Sequence, residues 1–145
     1  MTPLAGSVAL NLALGFSLLS IITLYIYIRN GDKRLFLTGQ RLSLGISFFV
    51  FLSTFILWYQ LIISNFDIDY VARYTSLETP FIYKISALWA GQSGSLLFWL
   101  FILSVFATIT VLQNQSKHHG LMPWVIISLS IIQLFFLVLT NFVTN

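Results

Sequence analysis

Four long apolar stretches without a charged side chain constrain this sequence more than any other feature. They run over residues 4–28, 42–63, 95–112 and 121–139 of the 145-residue chain. A helix needs about 20 apolar residues to cross the hydrocarbon core of a bilayer. The stretches are too long for barrel strands and lack the alternating polarity of such strands. The sequence therefore predicts an all-α integral membrane protein, with four transmembrane helices in a single membrane domain.

Composition agrees with a lipid environment and excludes several functions. The chain is 58% hydrophobic and 8% charged, with a mean hydropathy of +0.92, which is far from the composition of a soluble domain. Its seven Lys and Arg residues are spread thinly, which argues against nucleic-acid binding. Because the chain has no cysteine, it has no disulfide, no thiolate metal site and no covalent haem attachment of its own.

The distribution of basic residues predicts the orientation in the membrane. Lys and Arg residues near the ends of spans are retained on the cytoplasmic side. The first and third connections are basic, through Arg29, Lys33, Arg34, Arg41 and Lys117. The loop over residues 64–93 has two basic and three acidic side chains. We therefore expect this loop, called the outer loop, and both termini on the outer face.

Small and polar residues within the spans favour helix packing over transport. The first span has small residues at every fourth position, a spacing that lets another helix approach closely: Ala5, Ala9, Ala13 and Ser17. Three polar residues are expected to form hydrogen bonds between helices: Asn11, Gln60 and Gln133. No ionisable residue accompanies them, so a transporter or proton channel is disfavoured. Trp58 and Trp124, near span ends, fit an aromatic belt.

The outer loop contains signals for local helices. Asp69 and Arg73 are four residues apart, as in a helical ion pair. A second helix, over residues 80–90, is predicted from a Thr79 N-cap, a Pro80 first position and a Gly91 stop. Its apolar face would lie at the membrane interface: Phe81, Ile82, Ile85, Leu88 and Trp89. Periodicity leaves two interpretations open, a simple return to the third span and a platform for a ligand or partner.

The junction between the outer loop and the third span has the sequence W-A-G-Q-S-G-S-L-L-F-W over residues 89–99. Two glycines three residues apart allow a tight turn and a close approach of the backbone. Ser93 or Ser95 is a suitable cap for the third span. A helix N-terminus flanked by tryptophans suits an anionic, planar ligand.

The sequence K-I-S-A-L-W-A-G-Q-S-G-S-L-L-F-W, residues 84–99, resembles the K-x-x-A-x-W-x-G-[HQ]-E-G-S-L-L-x-W segment of the CcmF-type cytochrome c biogenesis proteins. Residues 70–72, Pro80 and residues 140–141 correspond as well. The resemblance covers the whole chain and the N-terminal portion of the family. It implies a part or split subunit of the cytochrome c haem lyase, which assists haem delivery and covalent attachment to apocytochrome c outside the membrane.

The resemblance also implies a set of residues that contact haem or a partner. They are Arg73, Lys84, Trp89, Gly91, Gln92, Ser93, Gly94, Ser95 and Trp99. Ser93 departs from the family, which usually has Glu at this position, and Gln92 is one of two family alternatives. The tryptophan-rich WWD motif and the haem-ligand histidines of the family are absent from this sequence, so the chain is not expected to catalyse the reaction alone.

No metal ligand is expected from this chain. His118, His119 and Met122 are predicted inside, and the outer loop has no His, Cys or Met to bind iron. The implied partners are a WWD-motif polypeptide or the remainder of the same protein, a haem chaperone, apocytochrome c and membrane lipid. The implied location is the cytoplasmic (inner) membrane, or an organellar inner membrane. The alternative function is a structural or assembly subunit of another membrane complex with no haem role.

Overall fold

The computed structural model describes residues 2–115 and 120–143. Its helices in chain order are α1 (Thr2–Asn30), α2 (Lys33–Ile62), α3 (Asp69–Tyr74), α4 (Phe81–Ser86), a 3-10 turn (Ala87–Trp89), α5 (Gln92–Gln113) and α6 (Met122–Val143). Four of them, α1, α2, α5 and α6, are long and apolar enough to cross a membrane. The all-α integral membrane class is confirmed. The predicted inside position of Lys117, His118 and His119 falls outside the described residues.

The second span begins earlier as a helix than its apolar stretch indicates. Gly31 adopts a left-handed conformation, with φ of 74°, and turns the chain directly after α1. Asp32 then caps α2, because its carboxylate accepts the backbone N–H of Arg34 at 3.0 Å. The helix therefore starts at Lys33 and not at residue 42, and it includes Arg41. A capped start needs no apolar residues, so hydropathy alone missed it.

The four long helices pack in a ring, with α1 against α2 and α6, and α5 against α2 and α6. The small residues Ala9, Ala13 and Ser17 are buried, as the four-residue spacing predicts, whereas Ala5 is exposed. Glycines of α2 provide the other half of the α1 contact. A Cβ atom at Gly39 would lie 2.5 Å from the Leu24 side chain. Gly39 therefore allows α2 to pack closely against α1 at this point.

Of the three polar residues predicted to form hydrogen bonds between helices, one does so within this bundle. The Gln133 amide nitrogen donates to the Ser104 hydroxyl oxygen at 3.0 Å, which joins α6 to α5 as expected. Gln60 is buried, but its carbonyl accepts from Asn65 in the following loop at 2.8 Å. The prediction for Asn11 was wrong within this bundle, because its side chain is exposed. A rotation of about 100° per residue places Asn11 on the face opposite Ala9 and Ala13.

The segment that joins α2 to α5 lies at the same end of the bundle as the N-terminal turn of α1 and the C-terminal turn of α6. We call this the loop end. The Ser53 hydroxyl of α2 donates to the carbonyl oxygen of Gly6 there, at 3.3 Å. Basic residues Lys33, Arg34 and Arg41 lie at the opposite end, on the first turns of α2. The two ends of the bundle therefore differ in charge.

Candidate functional site

The loop end is organised around the hydroxyl group of Tyr70, on α3. This hydroxyl is within donating distance of two backbone carbonyls, Ala87 at 2.8 Å and Leu88 at 2.7 Å. It also accepts the backbone N–H of Gly91 at 3.1 Å. Three groups of the turn before α5 thus converge on one side-chain atom. We call Tyr70, the 3-10 turn and residues 90–94 the tyrosine junction.

Burial raises the pKa of Tyr70 above its ordinary value of 10.0. The Gly91 N–H lowers this pKa by a smaller amount, because it stabilises the phenolate, and the neighbouring Tyr74 raises it slightly. The hydroxyl therefore stays protonated over the physiological range. Only the protonated hydroxyl can donate a hydrogen bond to the Ala87 or Leu88 carbonyl.

The two glycines of the junction are required by close contacts with α3 and with the 3-10 turn. A Cβ atom at Gly94 would overlap the backbone carbonyl oxygen of Leu88 and the Tyr70 hydroxyl. A Cβ atom at Gly91 would lie 2.5 Å from the end of the Tyr74 ring. The close backbone approach predicted from their spacing is therefore present, and α3 is the element that approaches.

The helix predicted over residues 80–90 is shorter and is capped differently. Pro80 is the N-cap rather than the first helical residue, and α4 ends at Ser86 before the 3-10 turn. Thr79 does not cap it, because its hydroxyl oxygen accepts the backbone N–H of Ser76 at 2.9 Å. The Ala87 and Leu88 carbonyls lie in this 3-10 turn, within hydrogen-bonding distance of the Tyr70 hydroxyl. A tertiary contact therefore ends the helix early.

The start of α5 also differs from the prediction. Gly91, expected to stop the preceding helix, is the N-cap of α5 and makes no side-chain cap hydrogen bond. Ser95 does not cap the helix either, because its hydroxyl donates back to the carbonyl of Trp89 at 2.9 Å. As the first residues of a helix, Gln92 and Ser93 have backbone N–H groups without an intrahelical partner.

Two side chains fix α4 against the end of α2. The Lys84 ammonium donates to the Ser64 hydroxyl at 2.6 Å. The Trp58 indole N–H donates to the Ile85 carbonyl at 3.1 Å. Trp58, expected in an aromatic belt, therefore also holds the loop. No sequence pattern predicts this contact, since it depends on the position of α4.

A cavity of about 590 Å³ opens beside the tyrosine junction. We call it the loop-end cavity. Its lining comes from all four long helices and from α3, and it includes Gly6, Ser53, Gln60, Arg73, Gln92 and Ser93. Its charged lining residues are Arg73 and Asp69. Their predicted ion pair is present, with Nε and Oδ2 3.1 Å apart and both side chains largely exposed.

The expected contact residues fall into three groups in the structure. Arg73, Gln92 and Ser93 line the loop-end cavity, and Gly91 and Gly94 shape the junction beside it. The remaining four lie outside the cavity lining: Lys84, Trp89, Ser95 and Trp99. The ring of Trp89 packs on Phe98 at a centroid distance of 4.9 Å, and Trp99 is 60% exposed. The two tryptophans therefore do not enclose a common site with the start of α5.

Known proteins resemble this chain, although no family model matches it. CcmF, a cytochrome c-type biogenesis protein of Haemophilus influenzae, is 24% identical over 140 residues, which cover 97% of this chain and 22% of that protein. CcmF of Escherichia coli is 26% identical over 146 residues, which cover 100% of this chain and 22% of that protein. A solved structure of a cytochrome c haem lyase, CcmF, covers 98% of this chain and 24% of its own, with a TM-score of 0.89 and 24% identity.

The chain is a homologue of the CcmF-type cytochrome c biogenesis proteins. The resemblance read from residues 84–99 is thereby confirmed, and the four-helix bundle has the fold of part of a CcmF chain. The chain spans about a fifth of the length of the CcmF relatives that it matches. The activity of a whole CcmF protein therefore enters only as a proposal.

The sequence alone does not predict the two tyrosines that define the tyrosine junction. Tyr70 belongs to the resemblance through residues 70–72, and no sequence pattern marks Tyr74, whose ring lies 4.7 Å from that of Tyr70. One signal was present, because paired glycines imply that a bulky group approaches the backbone. The sequence could not identify that group. Among the described residues, no three His, Asp or Glu side chains lie close enough together to hold a metal ion.

Proposed function

We propose that this chain is a non-catalytic part of a cytochrome c haem lyase, either the N-terminal portion or a split subunit. In this role it assists haem delivery and covalent attachment to apocytochrome c. The observation that carries the proposal is the loop-end cavity, which forms beside the segment that resembles CcmF. The cavity lies within the range of about 300–1,000 Å³ that small-molecule sites occupy.

The polar groups of the cavity suit the carboxylates of a haem. The first N–H groups of α5, at Gln92 and Ser93, carry the positive end of the helix dipole. Arg73 adds a guanidinium group that can bind a carboxylate through two hydrogen bonds. Asp69 neutralises Arg73 in the free chain, so binding of a propionate requires Arg73 to exchange one carboxylate for another. In this proposal these groups bind the propionate edge of the haem, and the partner contacts its ring system.

Iron ligation falls to another polypeptide in this proposal. The described lining of the cavity contains no His, Met or Cys, the side chains that commonly ligate haem iron. A WWD-motif polypeptide, or the remainder of the same protein, would supply the ligands. A haem chaperone would deliver the haem, and apocytochrome c would receive it. Arg73, Gln92 and Ser93 would then act by positioning the haem edge.

We further propose that the loop end faces outward from the cytoplasmic (inner) membrane, with both termini outside; an organellar inner membrane fits the same arrangement. The support is the charge difference between the two ends of the bundle, because Lys33, Arg34 and Arg41 lie opposite the loop end. This arrangement exposes the cavity on the side where apocytochrome c would meet haem.

The experiment is co-expression with the WWD-motif polypeptide, followed by purification through this chain and a haem absorption spectrum. Ser93→Leu should reduce the haem content of the complex several-fold, because the larger side chain enters the cavity beside the α5 N-terminus. Ser86→Leu is the matched control, since Ser86 lies on α4 outside the cavity lining. No association with the WWD-motif polypeptide, or equal haem content in the two variants, would refute the proposal.

The alternative is a structural or assembly subunit with no haem role. The observations that favour it are the exclusion of Trp89 and Trp99 from the cavity and the existing pairing of Arg73 with Asp69. Under this alternative, partner binding survives every cavity substitution and no haem absorption accompanies the complex. The identity of the co-purified partner therefore separates the two functions.

A further inference from the structure

The face of α1 that points away from the bundle carries a regular pattern. Six exposed residues follow one another at alternating spacings of four and three positions: Leu4, Val8, Asn11, Gly15, Leu18 and Ile22. We call this row the α1 seam. Alternating spacings of three and four are the pattern by which one helix packs along another in a coiled coil. The bundle itself uses the opposite face of α1, where Ala9, Ala13 and Ser17 are buried.

Asn11 is the unexpected member of the seam. At 1.5 Å of rise per residue it lies about 10 Å along the helix from Leu4, where the apolar span begins. Its side chain is exposed and makes no hydrogen bond to the described residues. An amide that faces hydrocarbon without a partner is unfavourable, whereas the same amide between two helices forms a hydrogen bond. Asn11 therefore indicates a second helix on this face.

Gly15, one turn further along, supports the same conclusion independently. A Cβ atom at Gly15 would meet no other atom within 4 Å, so packing inside the chain does not explain this glycine. The glycines Gly39 and Gly45 differ, because a Cβ atom at either would lie 2.5 Å from a side chain of α1. Gly15 thus leaves an open notch on the seam, into which a bulky side chain of another helix fits.

We infer that the α1 seam binds a transmembrane helix of the polypeptide that completes the haem lyase. This inference rests on the proposed function. The argument for this occupant is length: the chain covers 22% of two CcmF relatives and 24% of the solved haem lyase chain. More than three quarters of such a relative lies outside the part that this chain matches, so helices of that remainder are available to pack on the seam. The incoming helix carries a hydrogen-bonding side chain at the depth of Asn11 and a large apolar side chain opposite Gly15.

Site-specific cross-linking in native membranes tests the inference. The chain has no cysteine, so single-cysteine variants give a clean background. Val8→Cys and Leu18→Cys place the reagent on the seam, whereas Ile131→Cys and Phe135→Cys place it on the exposed face of α6. In cells that express the WWD-motif polypeptide, the seam positions should give at least about tenfold more cross-linked product with it than the α6 positions do. A product at twice the mass of this chain, or equal yields on the two faces, would overturn the inference.

Substitutions measure the part played by Asn11. Asn11→Leu should lower co-purification of the WWD-motif polypeptide by roughly three- to tenfold, the range expected for one hydrogen bond between membrane helices. Asn11→Gln should restore it, and Ser128→Leu, on the exposed face of α6, should leave it unchanged. If Asn11 served only the fold of this chain, Asn11→Leu would not lower co-purification. It would stabilise the chain in lipid, since leucine is more favourable there than asparagine. Unchanged co-purification with Asn11→Leu would overturn the inference.

The two proposals fail in different ways. If the WWD-motif polypeptide co-purifies but cross-links only through α6, the seam inference is wrong and the proposed function stands. If no WWD-motif polypeptide co-purifies and cells lacking this chain still make cytochrome c, the proposed function is wrong. The seam inference then falls with it.

Discussion

Gly94→Ala offers a stringent test of the tyrosine junction. The added methyl group would overlap the Leu88 carbonyl oxygen, which belongs to the backbone, and the Tyr70 hydroxyl. Neither group can rotate away without breaking a hydrogen bond of the junction. Forcing an extra carbon into a packed site costs about 1–3 kcal/mol. Loss of the hydrogen bonds that Tyr70 makes adds about 0.5–1.5 kcal/mol for each bond.

The Tyr70 hydroxyl donates one hydrogen bond and accepts one, so the expected cost at the junction is about 2–6 kcal/mol, against less than about 1 kcal/mol for Gly91→Ala. Gly91 faces only the end of the Tyr74 ring, which is 40% exposed and can turn aside. The damage should remain local, because the four long helices pack without help from Gly94. Hydrogen exchange, measured by mass spectrometry in detergent micelles, reports this local opening of the tyrosine junction. The amide of Gly91 donates to Tyr70, so its exchange should accelerate at least about tenfold in Gly94→Ala.

The control for this experiment is Gly15→Ala, at a position where an added Cβ meets nothing. It should leave exchange at the loop end unchanged. Equal exchange in Gly94→Ala and Gly91→Ala would refute the reasoning, since the structure assigns a backbone clash to the first and a movable ring to the second. Acceleration throughout α5 would also contradict it, because the junction would then support the bundle as a whole.

The remaining predictions concern other residues of the junction and the core. Tyr70→Phe should destabilise the loop end by about 1–3 kcal/mol, seen as faster proteolysis there, because it removes the one hydrogen bond that the hydroxyl donates and the one that it accepts from the Gly91 N–H. The raised pKa of Tyr70 means that its contribution is complete below pH 10.0 and is lost as the pH rises above that value, a dependence that Tyr70→Phe should abolish. Gln133→Leu should change the free energy of unfolding in micelles by less than about 1 kcal/mol, because it removes a bond to Ser104 and also a buried carbonyl oxygen without a partner among the described residues. Replacing Trp89 or Gly91 should lower the yield of mature cytochrome c more than replacing either of the two histidines, and equal yields would contradict that expectation.

The spans were predictable because burial in lipid imposes one requirement on about 20 consecutive residues. That signal places α5 and α6 closely, since their apolar stretches nearly coincide with the helices. It fails at the start of α2, where Asp32 and the turn at Gly31 begin the helix among charged residues. Helix capping and membrane depth are separate properties, and hydropathy reports only the second.

Local spacing predicted contacts within one helix but did not identify which residues meet at the tyrosine junction. The ion pair of Asp69 and Arg73 follows from their spacing alone. The tyrosine junction does not, because it depends on α3 folding over a turn 17 to 21 residues further along the chain. The early end of α4 has the same origin. Propensity and capping rules describe an isolated segment, and the Tyr70 hydroxyl overrides them through tertiary contact.

The prediction for Asn11 shows the same limit inside the membrane. A polar residue in a span is expected to face another helix, but the sequence does not say whether that helix belongs to the same chain. The buried ladder at Ala9 and Ala13 fixes which face of α1 meets this bundle, and Asn11 lies opposite it. Because the Asn11 side chain is exposed in this bundle, it supports packing against a helix of a partner.

The yield of covalent haem attachment in cells that lack this chain tests the central claim most directly. Deletion of the chain, with the WWD-motif polypeptide and apocytochrome c still expressed, should abolish the haem-stained cytochrome c band, and the wild-type chain should restore it. An undiminished band in the deletion strain would contradict the assignment of this chain to a cytochrome c haem lyase.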